Sequence, residues 1–165
     1  HRATHLCDRY TFPNGCHVAE VEIDPDTGSV RLDRYVIFDD YGRLLDPRLT
    51  LGQVHGGVAQ GIGQALFEHA LFDADTGQIL SGSLMDYALP PADDLPAFEG
   101  SLTDEFPSRA NRLGVKGSGQ AGAIAAPATI MNAVMNALTP PGVRHLDMPT
   151  TSSRIWQAIQ AAGSR

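Results

Sequence analysis

Gly52-Gln53-Val54-His55-Gly56-Gly57-Val58-Ala59-Gln60-Gly61-Ile62-Gly63-Gln64-Ala65-Leu66 carries two signals that pull against each other. Val54, Val58, Ile62 and Leu66 recur every four residues, which predicts a helix from about Gln53 to Ala70 with that stripe facing inward. Glycines at 52, 56, 57, 61 and 63 oppose it, since each costs a helix about 1 kcal/mol relative to alanine. Close approach to another backbone, or to a ligand, would account for them. A lipid-embedded small-residue seam is excluded, because His55, Gln60 and Gln64 interrupt the stretch.

Upstream of this helix the period changes to two. Ala19, Val21 and Ile23 alternate with Val18, Glu20 and Glu22, and Asp24-Pro25-Asp26-Thr27-Gly28 supplies turn chemistry. Val30, Leu32 and Tyr35-Val36-Ile37-Phe38 resume the extended pattern, so a hairpin is expected. Asp39-Asp40-Tyr41-Gly42-Arg43 is expected to end the second strand, with Asp39-Asp40 and Asp93-Asp94 read as turn and cap residues.

Downstream, Asp73-Ala74-Asp75-Thr76-Gly77 repeats the first turn. Short strands are expected at 78–83, 85–90 and 98–103, and Pro90, Pro91 and Pro96 forbid a long helix there. Gly114-Val115-Lys116-Gly117-Ser118-Gly119-Gln120-Ala121-Gly122 is a glycine loop. A helix is expected after it from about Ile124 to Leu138, with Ile124, Ala128, Met131, Met135 and Leu138 inward and Pro127 in its first turn. A last helix over about 151–161 would face Ile155, Trp156 and Ile159 inward, with Trp156 as its core anchor. The fold class expected is therefore α+β: an antiparallel hairpin and short strands packed on a glycine-rich helix and two C-terminal helices.

Composition narrows the function. The net charge of −7 argues against a nucleic-acid partner. Eleven of the twelve basic residues are arginine, and the one lysine, Lys116, sits inside the glycine loop. Two cysteines, Cys7 and Cys16, are too few for an iron–sulfur cluster. His5, Cys7, Cys16 and His17 match no familiar zinc spacing, so no metal ligands are assigned, and unpaired thiols suit a reducing, cytoplasmic compartment. No apolar run of membrane-spanning length and no signal-peptide pattern is read. His1 opens the chain in place of Met, which favours a processed or truncated chain, with residues 1–10 irregular.

Gly117-Ser118-Gly119-Gln120-Ala121-Gly122 has the form of a dinucleotide fingerprint before a helix. An apolar strand should precede such a fingerprint, yet residues 107–113 are Pro-Ser-Arg-Ala-Asn-Arg-Leu, and too little chain follows for a second βαβ unit. What survives is a row of glycine-loop N–H groups suited to an anion or an oxo group.

Taken in order, several motifs resemble the large subunits of molybdenum hydroxylases, the xanthine dehydrogenase and aerobic carbon monoxide dehydrogenase kind. They are 17–22, 39–43, the glycine-rich helix 52–66, Met85-Asp86-Tyr87-Ala88-Leu89-Pro90 and the loop 114–122. The likeness runs over about residues 10–160 and leans to the carbon monoxide dehydrogenase branch. It implies that residues 1–165 are one domain, the C-terminal part of such a subunit. It also implies a molybdenum-pterin cofactor that oxidises or hydroxylates a small substrate (an aldehyde, an N-heteroaromatic or CO) with oxygen from water. FAD and 2Fe-2S would sit on partner domains or subunits. The implied partners are the upstream half of the large subunit, a flavin subunit and an iron–sulfur subunit, in an oligomer.

By position, Gln53 matches the glutamine that approaches the pterin. Lys116, Gly117, Ser118 and Gly119 match the loop around the metal. Gln120 stands where the family places a catalytic glutamate that accepts a proton beside the metal. An amide cannot take that proton. An introduced substitution, a natural variant with altered or lost activity, and a different base all remain open. The alternative function is a catalytically inactive binding or assembly module of the same fold. Asp46 before Pro47 is a second departure, because the family more often has Asn there. The fragment alone is expected to hold no molybdenum.

Overall fold

The structure, a computed structural model, describes residues 2–4 and 9–163. The chain is α+β, with three strands and three α-helices: β1 (Asn14–Ile23), β2 (Val30–Asp40), α1 (Pro47–Leu66), β3 (Glu99–Thr103), α2 (Ala121–Leu138) and α3 (Ser152–Gly163). β1 and β2 form the expected antiparallel hairpin, and β3 adds parallel to the other side of β2, in the order β1-β2-β3. The period-two reading did not foresee that parallel pairing, because nothing in five residues states the direction of a partner.

The two Asp-x-Asp-Thr-Gly turns fold alike. Asp24 accepts from the Asp26 N–H and the Thr27 hydroxyl, and Asp73 accepts from Thr76 in the same way. Both close on a glycine with positive φ, Gly28 at 72° and Gly77 at 69°. The second turn joins only an isolated bridge, Phe72 with Ile79. The strands expected over 78–90 are absent; Ser83 instead caps a turn through Asp86. Met85 is 92% exposed and so is not core.

α1 starts earlier than expected, at Pro47, because Asp46 caps it by accepting from the N–H groups of Arg48 and Leu49. Its inward stripe is the predicted one: Val54, Val58, Ile62 and Leu66 are all buried. α2 lies across it, against α1 and β1. Here the expected face holds only in part, since Leu138 is buried and Met135 packs on the core but Ile124 and Ala128 are exposed. Ala126, Ile130, Val134 and Leu138 are buried, while Ile124 is 73% exposed. The helix begins at Ala121, so Pro127 is buried inside it and not in its first turn.

Small residues decide that rotation. A Cβ on Gly122 would stand 2.5 Å from the Val54 carbonyl oxygen and 2.7 Å from the Val58 nitrogen. One on Gly61 would stand 2.7 Å from Ala126 Cβ. The two backbones meet through glycine and alanine, which leaves the bulkier α2 residues to point elsewhere. By length and composition alone α2 could cross a membrane, contrary to the sequence reading, but its inner stripe packs into the core cluster.

α3 docks through Ile155, which is fully buried, while Trp156 is partly exposed and so is not the core anchor. The segment before α3 is tied to the end of α1, since the Thr150 N–H and hydroxyl both donate to the Ala65 carbonyl, at 2.7 and 3.0 Å.

Candidate functional site

The site grows from the end of β2. Its inner face runs Tyr35, Ile37, Asp39, so the strand's own period carries an acid into the interior. His17, the first inward residue of β1, meets it. His17 Nε2 lies 3.1 Å from Asp39 Oδ1, and Nδ1 lies 2.9 Å from the Tyr35 hydroxyl. The Tyr41 hydroxyl donates to Asp39 Oδ2 at 2.8 Å. A proton on Nε2 satisfies every member: His17 donates to Asp39 and accepts from Tyr35. Burial, with the Asp39 charge adding to it, pushes the Tyr35 phenol up to about 12. Burial and the bond to Asp39 push Tyr41 up as well. Both hydroxyls are therefore proton donors at neutral pH.

Asp40 faces the other way, toward the glycine loop. Its Oδ1 accepts from the Gly42 N–H at 2.7 Å and pairs with Lys116 Nζ at 3.0 Å. Lys116 Nζ also donates to Asn14 Oδ1 at 2.9 Å. The backbone follows the same track: the Lys116 N–H donates to the Tyr41 carbonyl, and the Arg43 N–H to the Gly114 carbonyl, both at 2.9 Å. Gly42 takes φ 62° there, and a Cβ would strike the Gly114 carbonyl at 2.2 Å. Asn111 brackets Val115, accepting from its N–H and donating to its carbonyl. The acid pair read as turn residues is thus the buried foundation of the loop. His17, Asn14, Asp39 and Asp40 were all missed as site residues. Extending the period of two past Ile37 would have found Asp39, but the partners lie 22 and 76 residues away in sequence, at His17 and Lys116.

Beyond Lys116 the loop turns toward α1. Gln53 Nε2 donates to the Gly119 carbonyl at 3.0 Å, joining two motifs 66 residues apart. The N–H groups of Gly117, Ser118, Gly119 and Gln120 have no partner among the described residues. No atom lies within 4 Å of where a Cβ would stand on Gly52, Gly56 or Gly119. Gln120 ends the loop as the exposed N-cap position of α2, and its side chain makes no capping bond. A cleft of about 300 Å³ opens beside it, lined by Phe12, Asn14, His17, Asp39, Ala121 and Ile124.

All six residues singled out from sequence (Gln53, Lys116, Gly117, Ser118, Gly119 and Gln120) therefore fall along one loop and the helix turn beside it. Within this set Lys116 turns its ammonium inward, to Asp40 and Asn14. Of the zinc-like set, His5 and Cys7 lie outside the described residues. Cys16 is an exposed free thiol, and His17 is held by Tyr35 and Asp39. Among the described residues no three His, Cys, Asp or Glu side chains gather to hold a metal.

A family model for the molybdopterin cofactor-binding domain matches residues 3–96. This chain belongs to that family. Its relatives share both the sequence and the fold. The large subunit of nicotine 6-hydroxylase from Paenarthrobacter nicotinovorans is 40% identical over 152 residues, covering 92% of this chain and 18% of that protein. Reconstituted CO dehydrogenase from Oligotropha carboxidovorans superposes with a TM-score of 0.86 at 31% identity, over 92% of this chain and 19% of that one. Quinoline 2-oxidoreductase from Pseudomonas putida 86 gives 0.85 at 38% identity, over 90% and 19%. The molybdopterin domain chain thus spans about a fifth of the length of these relatives.

The residues present fit the family's cofactor. Four unpartnered N–H groups suit the oxygens of an anionic group, open space stands over Gly119, Gly52 and Gly56, and Gln53 Oε1 has no partner among the described residues.

Proposed function

We propose that this chain is one domain, the C-terminal part of the large subunit of a molybdenum-cofactor oxidoreductase. The substrate is a small molecule, an aldehyde, an N-heteroaromatic or CO. The supporting observation is the Gln53–Gly119 hydrogen bond, which brings the glycine-rich helix and the glycine loop to one place. When bound there, the molybdenum-pterin group supplies the two-electron oxidation, with water as the oxygen source. 2Fe-2S and FAD on partner domains or subunits would be the electron carriers of such an assembly. The rest of the large subunit completes the site, in an oligomeric cytoplasmic assembly.

The chain's own residues bind and orient. Gln53 fixes the loop through Nε2 and keeps Oε1 for a donor on the cofactor. The N–H groups of 117–119 offer a fixed, preorganised set of donors. Gln120 can donate through Nε2 and accept through Oε1, but it takes up no proton. It positions substrate or water and leaves proton removal unassisted at that point. Nothing in the loop's geometry favours the inactive-module reading.

Turnover tests this directly. The large subunit in its full assembly would be assayed with aldehydes, N-heteroaromatics and CO in isotopically labelled water. Label is expected in hydroxylated product. Gln120→Glu, which restores a base within reach of the same point, is expected to raise kcat by about 10² or more at equal molybdenum loading. Unchanged or lower turnover in fully loaded Gln120→Glu would reject the assignment of position 120.

A further inference from the structure

We propose that Asp40 and Lys116 form a latch that sets where the backbone of 117–120 lies, making Asp40 a positioning residue for the cofactor loop. This rests on the reading of that loop given above. Among the described residues, the loop 117–120 is held by two hydrogen bonds, from the Gln53 side chain to the Gly119 carbonyl and from the Ile124 N–H of α2 to the Gln120 carbonyl. Its other anchor is Lys116 itself. The side chains of Lys116 and Asp40 are only 12% and 3% exposed, and they meet at 3.0 Å.

The pairing is obligatory on chemical grounds. Asp40 Oδ2 is buried without a hydrogen-bond partner, so the carboxylate is answered only through Oδ1, by Lys116 and the Gly42 N–H. Removing the lysine would leave a buried charge uncompensated. The choice of residue is equally specific. Eleven arginines serve elsewhere in the chain, and lysine is used here alone. A compact ammonium meets two acceptors here, Asp40 Oδ1 and Asn14 Oδ1. With its charge neutralised internally, Lys116 governs loop position in place of offering a free cation to the cofactor.

The test uses the large subunit in its assembly, with Asp40→Asn, Lys116→Met, the double variant and Asn14→Ala. Three readouts are taken: thermal midpoint, hydrogen exchange of the two bonded loop amides, Val115 (to Asn111 Oδ1) and Lys116 (to the Tyr41 carbonyl), and molybdenum per subunit. The single variants of the pair are expected to lose stability and to exchange about tenfold faster in the loop. The double variant, which removes both charges, is expected to regain its thermal midpoint while keeping the fast exchange and losing about tenfold in molybdenum retention. A purely structural pair predicts the opposite: regained stability with exchange and loading at the wild-type level, which would overturn the latch.

Should the double variant not fold, Asn14→Ala decides, because Asn14 is exposed. It removes one of the two Lys116 acceptors, and its loop exchange is expected to rise about threefold at an unchanged midpoint. Wild-type exchange in Asn14→Ala would overturn the proposal. A wild-type assembly without molybdenum would refute the cofactor reading, and the exchange readouts would still decide the latch.

Discussion

Tyr35 and Tyr41 both bury a hydroxyl, and Asp39 bears on each, through His17 for the first and directly for the second. Such a network is stable only while each donor keeps its proton. The phenol pKa is raised above its ordinary 10.0 in both, to about 12 for Tyr35. The folded state therefore holds these protons more tightly than the unfolded chain. Their stabilising effect is whole below pH 10 and is lost as pH rises toward 12 and beyond. Denaturant titrations over this range should show stability falling by up to about 1.4 kcal/mol per pH unit for each phenol. Tyr35→Phe should lower stability at neutral pH, because it strands His17 Nδ1, yet flatten the alkaline slope. An unchanged slope would show that Tyr35 is not among the groups responsible.

At this scale the sequence was legible where chemistry is local. The Asp-x-Asp-Thr-Gly turns follow from neighbours a few residues apart, whereas the equally local Asp46 cap was missed and the helix placed too late. Asp39 and Asp40 were misread because adjacent acids after an apolar run look like turn residues. What buries them is His17 from β1 and Lys116 from a loop after β3.

Among the elements, the α1–α2 crossing carries the fold. Four of the five glycines of α1 divide into two kinds, and the fifth, Gly63, stands against Glu68 and Pro90. Gly57 and Gly61 face α2, while Gly52 and Gly56 meet no atom within 4 Å. Gly122→Ala should destabilise by about 1–3 kcal/mol or more, because its Cβ would collide with backbone atoms of Val54 and Val58. Gly56→Ala should stabilise the apoprotein by about 0.5–1 kcal/mol through helix propensity alone. Chemical denaturation separates the two, and equal effects would mean that the close crossing is wrong. The face of α1 was readable because its valines, isoleucine and leucine do the packing. The face of α2 was only partly readable: Leu138 is buried as expected and Met135 packs on the core, but a reading weighted to large side chains also picked the exposed Ile124. The contact is instead made by Gly122 and Ala126, which let α1 approach.

For the whole molecule, the exposed apolar residues are informative. Leu49, Leu84, Met85 and Ile124 are each more than two-thirds exposed. The chain spans about a fifth of its relatives' length, and under the proposed function the remainder of the large subunit would cover such residues. The family and the α+β class were legible because several motifs occur in order. The parallel β3 and the buried ionic foundation were not, because both depend on pairings far apart in sequence. Under the proposed function, the isolated chain is expected to bind no molybdenum, since the rest of the subunit would complete the site.

The most direct test of this account is elemental analysis of the assembled large subunit, wild type against Gly119→Val. Gly119 has no positive φ and no neighbour a side chain would strike, so the variant should fold with an unchanged thermal midpoint. The account predicts about one molybdenum per wild-type subunit and about a tenfold loss in the variant. Full loading of Gly119→Val, or a wild-type assembly free of molybdenum, would contradict it.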